Sequence, residues 1–469
     1  MGQLACDIAW GLTSRGVAIM ICLAVGLTAR ADTLSGALAN AYRNNPQLNS
    51  QRAVVRATDE SVPQALSGYK PTLSATAQIE RVYTSSGGTR SVSLPSSVGL
   101  AATQTLFNGF QTANRIRQAE SNTSAAREAL RVAEQTVLLN AAAAYMDLLR
   151  DSALLDLQRR NVEVLQEQLR QTNDRFKVGE VTRTDVAQAE TRLAQGRAIV
   201  LSAESQYARS RANFRQFIGV EAGVLQPGAA VDRLTPHRLG QAVEIARARH
   251  PSVGVAMFGI DAAVLQVKIT EGSLYPQAQL VGAVSQIWDS GSSVTVLRQF
   301  NAFVGAQVTV PIYNAYNAGL TGATDAFSAI RAAKETVGQK RMDLETARDQ
   351  VQANVVTAWG QLEAAKAQIL ATQAQVASAE IALNGVREEA RVGERTTLDV
   401  LNAQQELVNA RTALVTAQHD RVVASYSLLS AVGELNLPKL GIIIPLYDPM
   451  VHYQQVRDAW IGVRTPSGR

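Results

Sequence analysis

The residue types able to do chemistry are sparse and scattered along this chain. The four histidines, His237, His250, His419 and His452, never fall at H-E-x-x-H or any other paired-ligand spacing. No G-x-S-x-G elbow, P-loop or dinucleotide fingerprint accompanies them, so neither a catalytic centre, a metal nor a cofactor is expected. The most regular polar pattern is Thr182-Arg183-Thr184-Asp185, repeated as Thr396-Thr397-Leu398-Asp399. Each is a threonine followed three residues later by an acid, the pattern of a capping box, which satisfies free amides at a helix start and places a carboxylate at the positive end of the helix dipole. Both follow a Val-Gly-Glu triplet, Val178-Gly179-Glu180 and Val392-Gly393-Glu394, as a tight turn before a new helix requires.

The elements that must position these boxes are long helices. From Gln111 to Lys177 there is neither Pro nor Gly, and a helix of that length would measure roughly 100 Å. Leu148, Leu155, Val162, Leu169 and Phe176 recur every seven residues. So do Val186, Leu193, Val200, Tyr207 and Phe214, and, in the second half, Leu401, Val408, Val415, Val422 and Leu429. Heptads of this kind specify antiparallel coiled-coil packing with a left-handed supercoil. The turns at 178–181 and 392–395 then lie at one end of the rods.

The chain is a tandem repeat. Asn45-Pro46 pairs with His250-Pro251, Tyr69-Lys70-Pro71 with Leu274-Tyr275-Pro276, Leu106-Phe107-Asn108 with Ile312-Tyr313-Asn314, and the Val178 turn with the Val392 turn. The offset grows from 205 to 214, and eight of the extra residues of the second copy fall between Asn314 and Gly393. Repeats of 32–218 and 241–436 are joined by a linker, 219–240, and followed by a proline-containing tail, 437–469.

Ahead of each helical hairpin the period changes to two. Leu73, Ala75, Ala77 and Ile79 alternate with Thr72, Ser74, Thr76 and Gln78, and Ala302, Val304, Ala306, Val308 and Val310 alternate with Phe303, Gly305, Gln307 and Thr309. Two hairpins, 72–107 and 277–312, with Ser/Gly-rich loops at 84–97 and 289–299, give four strands of about membrane-spanning length. A soluble sheet packed on helices is the other reading of this pattern.

Composition fits an exported protein. Arg15, the apolar run Gly16 to Leu27 and Ala29-Arg30-Ala31 form a secretory leader expected to end before Asp32. Both cysteines, Cys6 and Cys22, lie inside it, which leaves no disulfide or thiolate site in the expected mature chain. The formal charge of +5 is spread over mixed-sign surfaces and implies no nucleic-acid partner.

In this order, Asn45-Pro46, Tyr69-Lys70-Pro71, Leu106-Phe107-Asn108-Gly109, Arg175-Phe176-Lys177-Val178-Gly179 and Val392-Gly393-Glu394-Arg395-Thr396-Thr397-Leu398-Asp399-Val400 resemble the TolC family of outer-membrane efflux and secretion channels. The resemblance runs from about Thr33 to Asn436. The tail from Tyr447-Asp448-Pro449 to Trp460-Ile461-Gly462 is similar to that of alphaproteobacterial members. It implies a mainly α protein with a transmembrane β-barrel: a homotrimer whose twelve strands form one barrel in outer-membrane lipid, continued by a periplasmic α-helical tunnel. It further implies a periplasmic adaptor protein and, through it, an inner-membrane pump as partners. By motif position the pore aperture falls on Thr184, Asp185, Arg395, Asp399 and Asn402. Asn402 stands where the family has a second acid, and Ala390 where it has a tyrosine. The adaptor contact falls on Arg175, Val178, Gly179, Glu180, Arg391, Val392, Gly393 and Glu394. The competing expectation is a coiled-coil envelope scaffold or adhesin without a pore, with an envelope hydrolase a distant third.

Overall fold

A computed structural model describes residues 33–291, 294–311, 326–460 and 462–466. The expected leader, the Ile312-Tyr313-Asn314 landmark and the end of the second hairpin lie outside the described residues.

The chain opens with α1 (Leu34–Asn44), α2 (Pro46–Asp59) and α3 (Ser61–Leu66). The Asn45-Pro46 landmark has a local cause: Asn45 Oδ1 accepts from the amides of Gln47 (2.9 Å) and Leu48 (3.2 Å), and Pro46 takes the first helical position, where no amide is needed. His250 caps the helix that starts at Pro251 in the same way through Nδ1, 3.1 Å from the Ser252 amide.

Six strands follow in two groups: β1 (Thr72–Ile79), β2 (Val82–Ser86), β3 (Thr89–Ser93) and β4 (Ser96–Asn108), then β5 (Gln277–Gly291) and β6 (Val294–Thr309). The antiparallel order across the sheet is β1-β4-β5-β6, with β2-β3 extending the first hairpin. The segment expected as a Ser/Gly-rich loop, 84–97, is therefore mostly paired strand. Gly87 and Gly88, both at positive φ (57° and 84°), make the two-residue turn that strand twist favours, and polar Thr and Ser occupy a ladder that extends past β1. In the second hairpin the strands likewise run into the expected loop, reaching Gly291 and restarting at Val294.

Register sorts the sheet into two faces. Leu73, Ala102, Gly282 and Val304 lie side by side, as do Ala75, Leu100, Val284 and Ala302, and Ile79, Ser96, Trp288 and Arg298. The opposite face is mainly polar, with Ser74, Thr76, Gln78, Thr103, Gln279, Ser285, Asn301 and Gln307, and also carries Val281, Ile287 and Phe303. Among the described residues nothing packs on the apolar face: Leu73, Ile79 and Val304 are between 76% and 80% exposed.

β4 passes into α4 (Gln111–Lys177) through Gly109 and Phe110, both left-handed (φ 64° and 62°), with Phe107 and Phe110 in an edge-to-face contact of 5.2 Å. Gly109 has no room for a side chain, since a Cβ there would stand 2.2 Å from the Gly272 carbonyl oxygen. α4 then pairs with α5 (Arg183–Ile218), and α8 (Ala326–Arg391) with α9 (Thr397–Val432). Val137, Ala141, Ala144 and Leu148 are buried, and so are Val351, Val355, Ala358 and Leu362 at a constant offset of 214. The coiled coils of the two copies are thus in the same register from that level to the turns. Between them lie α6 (Leu239–Arg249) and α7 (Pro251–Glu271). This apolar stretch, Leu239–Leu274, is long enough to cross a membrane by composition, but it is interrupted at His250-Pro251 and packs on α4 and α8.

The main core, around Leu38, Leu48, Val137, Tyr145, Phe214, Leu429 and Leu437, lies where α1, α2, α4, α5 and α9 meet. A charged network lies nearby. His419 bridges Asp147 (Nε2 to Oδ1, 2.9 Å) and Asp420 (Nδ1 to Oδ1, 2.9 Å), and Arg150 pairs with Asp147 and Asp151. The tail climbs back along α2. Arg52 is stacked between Tyr42 and Tyr447, and in α10 (Pro449–Val456) His452 meets the fully buried Asp59 at 3.1 Å while Arg127 lies over the Tyr453 ring.

Candidate functional site at the helical turns

The far end of the coiled coils gathers the residues of the two Val-Gly-Glu turns. In the first turn α4 stops because Gly179 turns left-handed (φ 81°), with its amide on the Phe176 carbonyl and that of Glu180 on the Arg175 carbonyl (3.0 Å each). Gly393 (φ 88°) does the same after α8, with the Glu394 amide 2.9 Å from the Glu389 carbonyl. Gly is needed at both positions because a Cβ disfavours this conformation.

α5 and α9 restart on closed capping boxes. Thr182 donates from both its amide (2.9 Å) and its hydroxyl (2.7 Å) to Asp185 Oδ2, and its Oγ1 accepts from the Asp185 amide. Thr396 and Asp399 repeat this at 3.0, 2.8 and 3.2 Å. The hydrogen bond from the Thr182 side chain, then that from its backbone, holds the Asp185 carboxyl below its ordinary value. For Asp399 the Thr396 backbone bond comes first and its hydroxyl second, with the same direction. Capping and charge are therefore complementary, because the cap keeps each carboxylate ionised beside the turn.

Ion pairs cross both turns with opposite polarity. Arg175 reaches Glu180 at 3.0 Å in the first, and Glu389 reaches Arg395 at 2.8 Å in the second. Arg391 pairs with Glu388 at 3.2 Å. Thr184 and Arg395 are exposed, as are Val178 and Val392, at 71% and 73%. Each hairpin thus carries one exposed apolar side chain at its tip.

Asn402 lies three residues beyond Asp399, close to one helical turn, and its Oδ1 accepts from the Arg192 guanidinium of α5 at 2.9 Å. Arg192 did not emerge from the sequence, since its partner is 210 residues away and no local pattern links them. Beside this bond Leu401 packs with Leu165 and Leu193, a small cluster flanked by Val162 and Leu169 that joins α9 to the α4–α5 pair. Of the predicted heptad positions here Leu193 and Leu401 are buried, whereas Phe176 is 43% exposed. The apolar seam thins toward the turns. Among the described residues no group of three His, Cys, Asp or Glu side chains could hold a metal.

The family profile described as "Outer membrane efflux protein" matches residues 37–220 and 242–434. The chain is 40% identical over 444 residues to the outer membrane efflux protein BepC of Brucella suis biovar 1 (strain 1330), covering 95% of this chain and 94% of that one. It is 27% identical over 418 residues to the outer membrane protein TolC of Vibrio cholerae serotype O1, covering 87% and 92%. Its fold superposes on the Campylobacter jejuni CmeC outer membrane channel with a TM-score of 0.73 and 16% identity, over 91% of this chain and 89% of that one. With two matched blocks that span both copies of the repeat, the chain belongs to the outer membrane efflux protein family.

Proposed function

We propose that this chain is one subunit of a passive exit duct for efflux or secretion, a homotrimer gated at its helical turns and coupled through a periplasmic adaptor to an inner-membrane pump. The observation that carries it is the four-stranded sheet with one predominantly apolar, exposed face, interrupted by Gln104 and Gln286 and edged by Ser96 and Arg298, and continued directly into coiled coils on the scale of the periplasm. An apolar face of this extent belongs in lipid, and the β1 and β6 edges that one chain leaves open are intolerable there. Three copies supply twelve strands and close the barrel around a lumen faced by the Ser, Thr and Gln side chains.

At the other end, three copies of Asp399 near the axis form an acidic ring, with Asp185, Thr184, Arg395 and Asn402 around it. Ionised by its cap, such a ring draws cations to the aperture. The outward turns, Arg175 and Val178-Gly179-Glu180 with Arg391 and Val392-Gly393-Glu394, offer an apolar tip between charges to the adaptor. No group with catalytic spacing was found in the sequence, so transport energy comes from the pump.

The test is single-channel conductance of the purified protein in planar bilayers, comparing the native chain with Asp399→Ala. Cation-selective openings, blocked by divalent or trivalent cations in the native chain and less so in the variant, support the acidic aperture. Folded, oligomeric protein that forms no channel would establish the scaffold reading instead.

A further inference from the structure

The tail ends its climb at the foot of the barrel. Lys70, two residues before β1, donates from Nζ to the Ala459 carbonyl at 3.0 Å, and the same ammonium stands 5.0 Å from the centre of the Trp460 ring. The ring is otherwise bare, at 69% exposed. Three more aromatic side chains at this level are open: Tyr69 beside Lys70 (51%), Tyr275 at the foot of β5 (52%) and Phe110 just past β4 (62%). Four exposed aromatic rings and a lysine at the base of an apolar sheet are the chemistry of a membrane–water boundary. There the ring body lies among the upper acyl chains and the polar edge and the ammonium reach the headgroups.

We propose that Trp460, aimed by Lys70, is an interfacial anchor in the phospholipid leaflet that faces the periplasm, so that the C-terminal tail fastens to the membrane the helices beneath the barrel. The proposal rests on the outer-membrane placement of the sheet. The opposite rim gives an independent check of scale. Trp288 lies on the apolar face, level with Arg298 and Ser96, and stands eleven residues along β5 from its first residue, Gln277. At about 3.3 Å per residue and a tilt of about 40°, Trp288 lies about 28 Å above the strand base, close to one hydrocarbon thickness. The two tryptophans therefore bracket the lipid core. The tail before Trp460 is held along its length by the Tyr42–Arg52–Tyr447 stack, the Asp59–His452 pair and the Tyr453 contact, so the ring is delivered to a defined height.

Two variants retaining only Trp460 or only Trp288, with the other tryptophans replaced by Phe, are reconstituted into phosphatidylcholine vesicles. The acyl chains are brominated either near the glycerol end or near the methyl end. The anchor predicts that Trp460 is quenched several-fold more by the shallow bromines, and that adding Lys70→Ala weakens this quenching and shifts emission to the red. Trp460 quenched by neither lipid, whether because it sits in water or because it is buried between protomers, would overturn the anchor. Quenching mainly by deep bromines, or quenching indifferent to Lys70→Ala, would overturn it too. Trp288 separates the two levels of the argument. If Trp288 is quenched and Trp460 is not, only the anchor falls; if neither is quenched, the sheet is not in lipid and the duct reading falls with it.

Discussion

Replacing Gly109 by alanine tests the corner where strand becomes helix, and the cost can be worked from the backbone. The residue sits at φ 64°, where an L side chain loses about 1–2 kcal/mol relative to glycine. Its Cβ would lie 2.2 Å from the Gly272 oxygen, 0.8 Å short of the 3.0 Å below which real Cβ contacts are essentially not seen. Both partners are backbone, so neither can swing aside, and opening such a contact costs about 1–3 kcal/mol. The lost flexibility of the unfolded chain returns about 0.4–1 kcal/mol. The net destabilisation is about 2–4 kcal/mol. Gly272→Ala meets the Gly109 oxygen at 2.6 Å with no φ penalty and costs less. Because one separation of the two backbones relieves both overlaps, the double variant loses less than the sum of the singles. Denaturant titration of the detergent-solubilised protein, approached from the folded and unfolded sides, measures all three. Gly305→Ala, with open space around it, serves as the control and stays within about 0.5 kcal/mol. A Gly109→Ala protein within about 1 kcal/mol of the native one, or strict additivity with Gly272→Ala, would refute the close-contact argument.

Three further expectations follow from the same geometry. Thr182→Ala removes one cap, and amide exchange in the first turn of α5 should speed up about fivefold with the barrel strands unaffected; unchanged exchange would show the box to be energetically idle. Burial, the largest effect, and the charge of Arg150 pull the His419 imidazole down, but the Asp147 and Asp420 carboxylates that accept from its ring N–H groups outweigh both and leave it above its ordinary 6.5. Its contribution is full below pH 6.5 and is lost as pH rises through the folded value, so denaturation midpoints at pH 5.5 and 8.5 should differ more in the native chain than in His419→Gln. Arg192→Ala and Asn402→Ala should each raise open probability in bilayers by up to about fivefold, the range of an exposed charge-assisted hydrogen bond, and the double variant should match the singles; additive effects would mean the two residues act separately.

The rods were legible because a seven-residue apolar repeat is a local signal repeated many times, and because a cap and its turn lie within a few residues of each other. Thr182 and Asp185 needed nothing from elsewhere in the chain. The β2–β3 hairpin was misread for the converse reason: Thr84, Ser85, Ser91 and Ser93 have a loop-like composition, and only their ladder reveals them as strand. The Gly87-Gly88 pair was the signal that favoured a hairpin there. The Arg192–Asn402 bond, the burial of Asp59 under His452 and the landing of Trp460 on Lys70 were invisible. Each joins residues separated by hundreds of positions, with no periodicity to tie them.

The reversed ion pairs of the two turns bear on symmetry. Two copies in each of three chains would present six hairpins around the axis, and their shared 214-residue register makes the six backbones nearly equivalent. Electrically they are not. One turn carries its cation on the departing helix and its anion after the glycine, and the other has the reverse order. A partner ring of six identical units would meet two kinds of socket in alternation. On the proposed trimer the six units of such a ring would fall into two sets of three, alike in the shape they meet and different in its charge order.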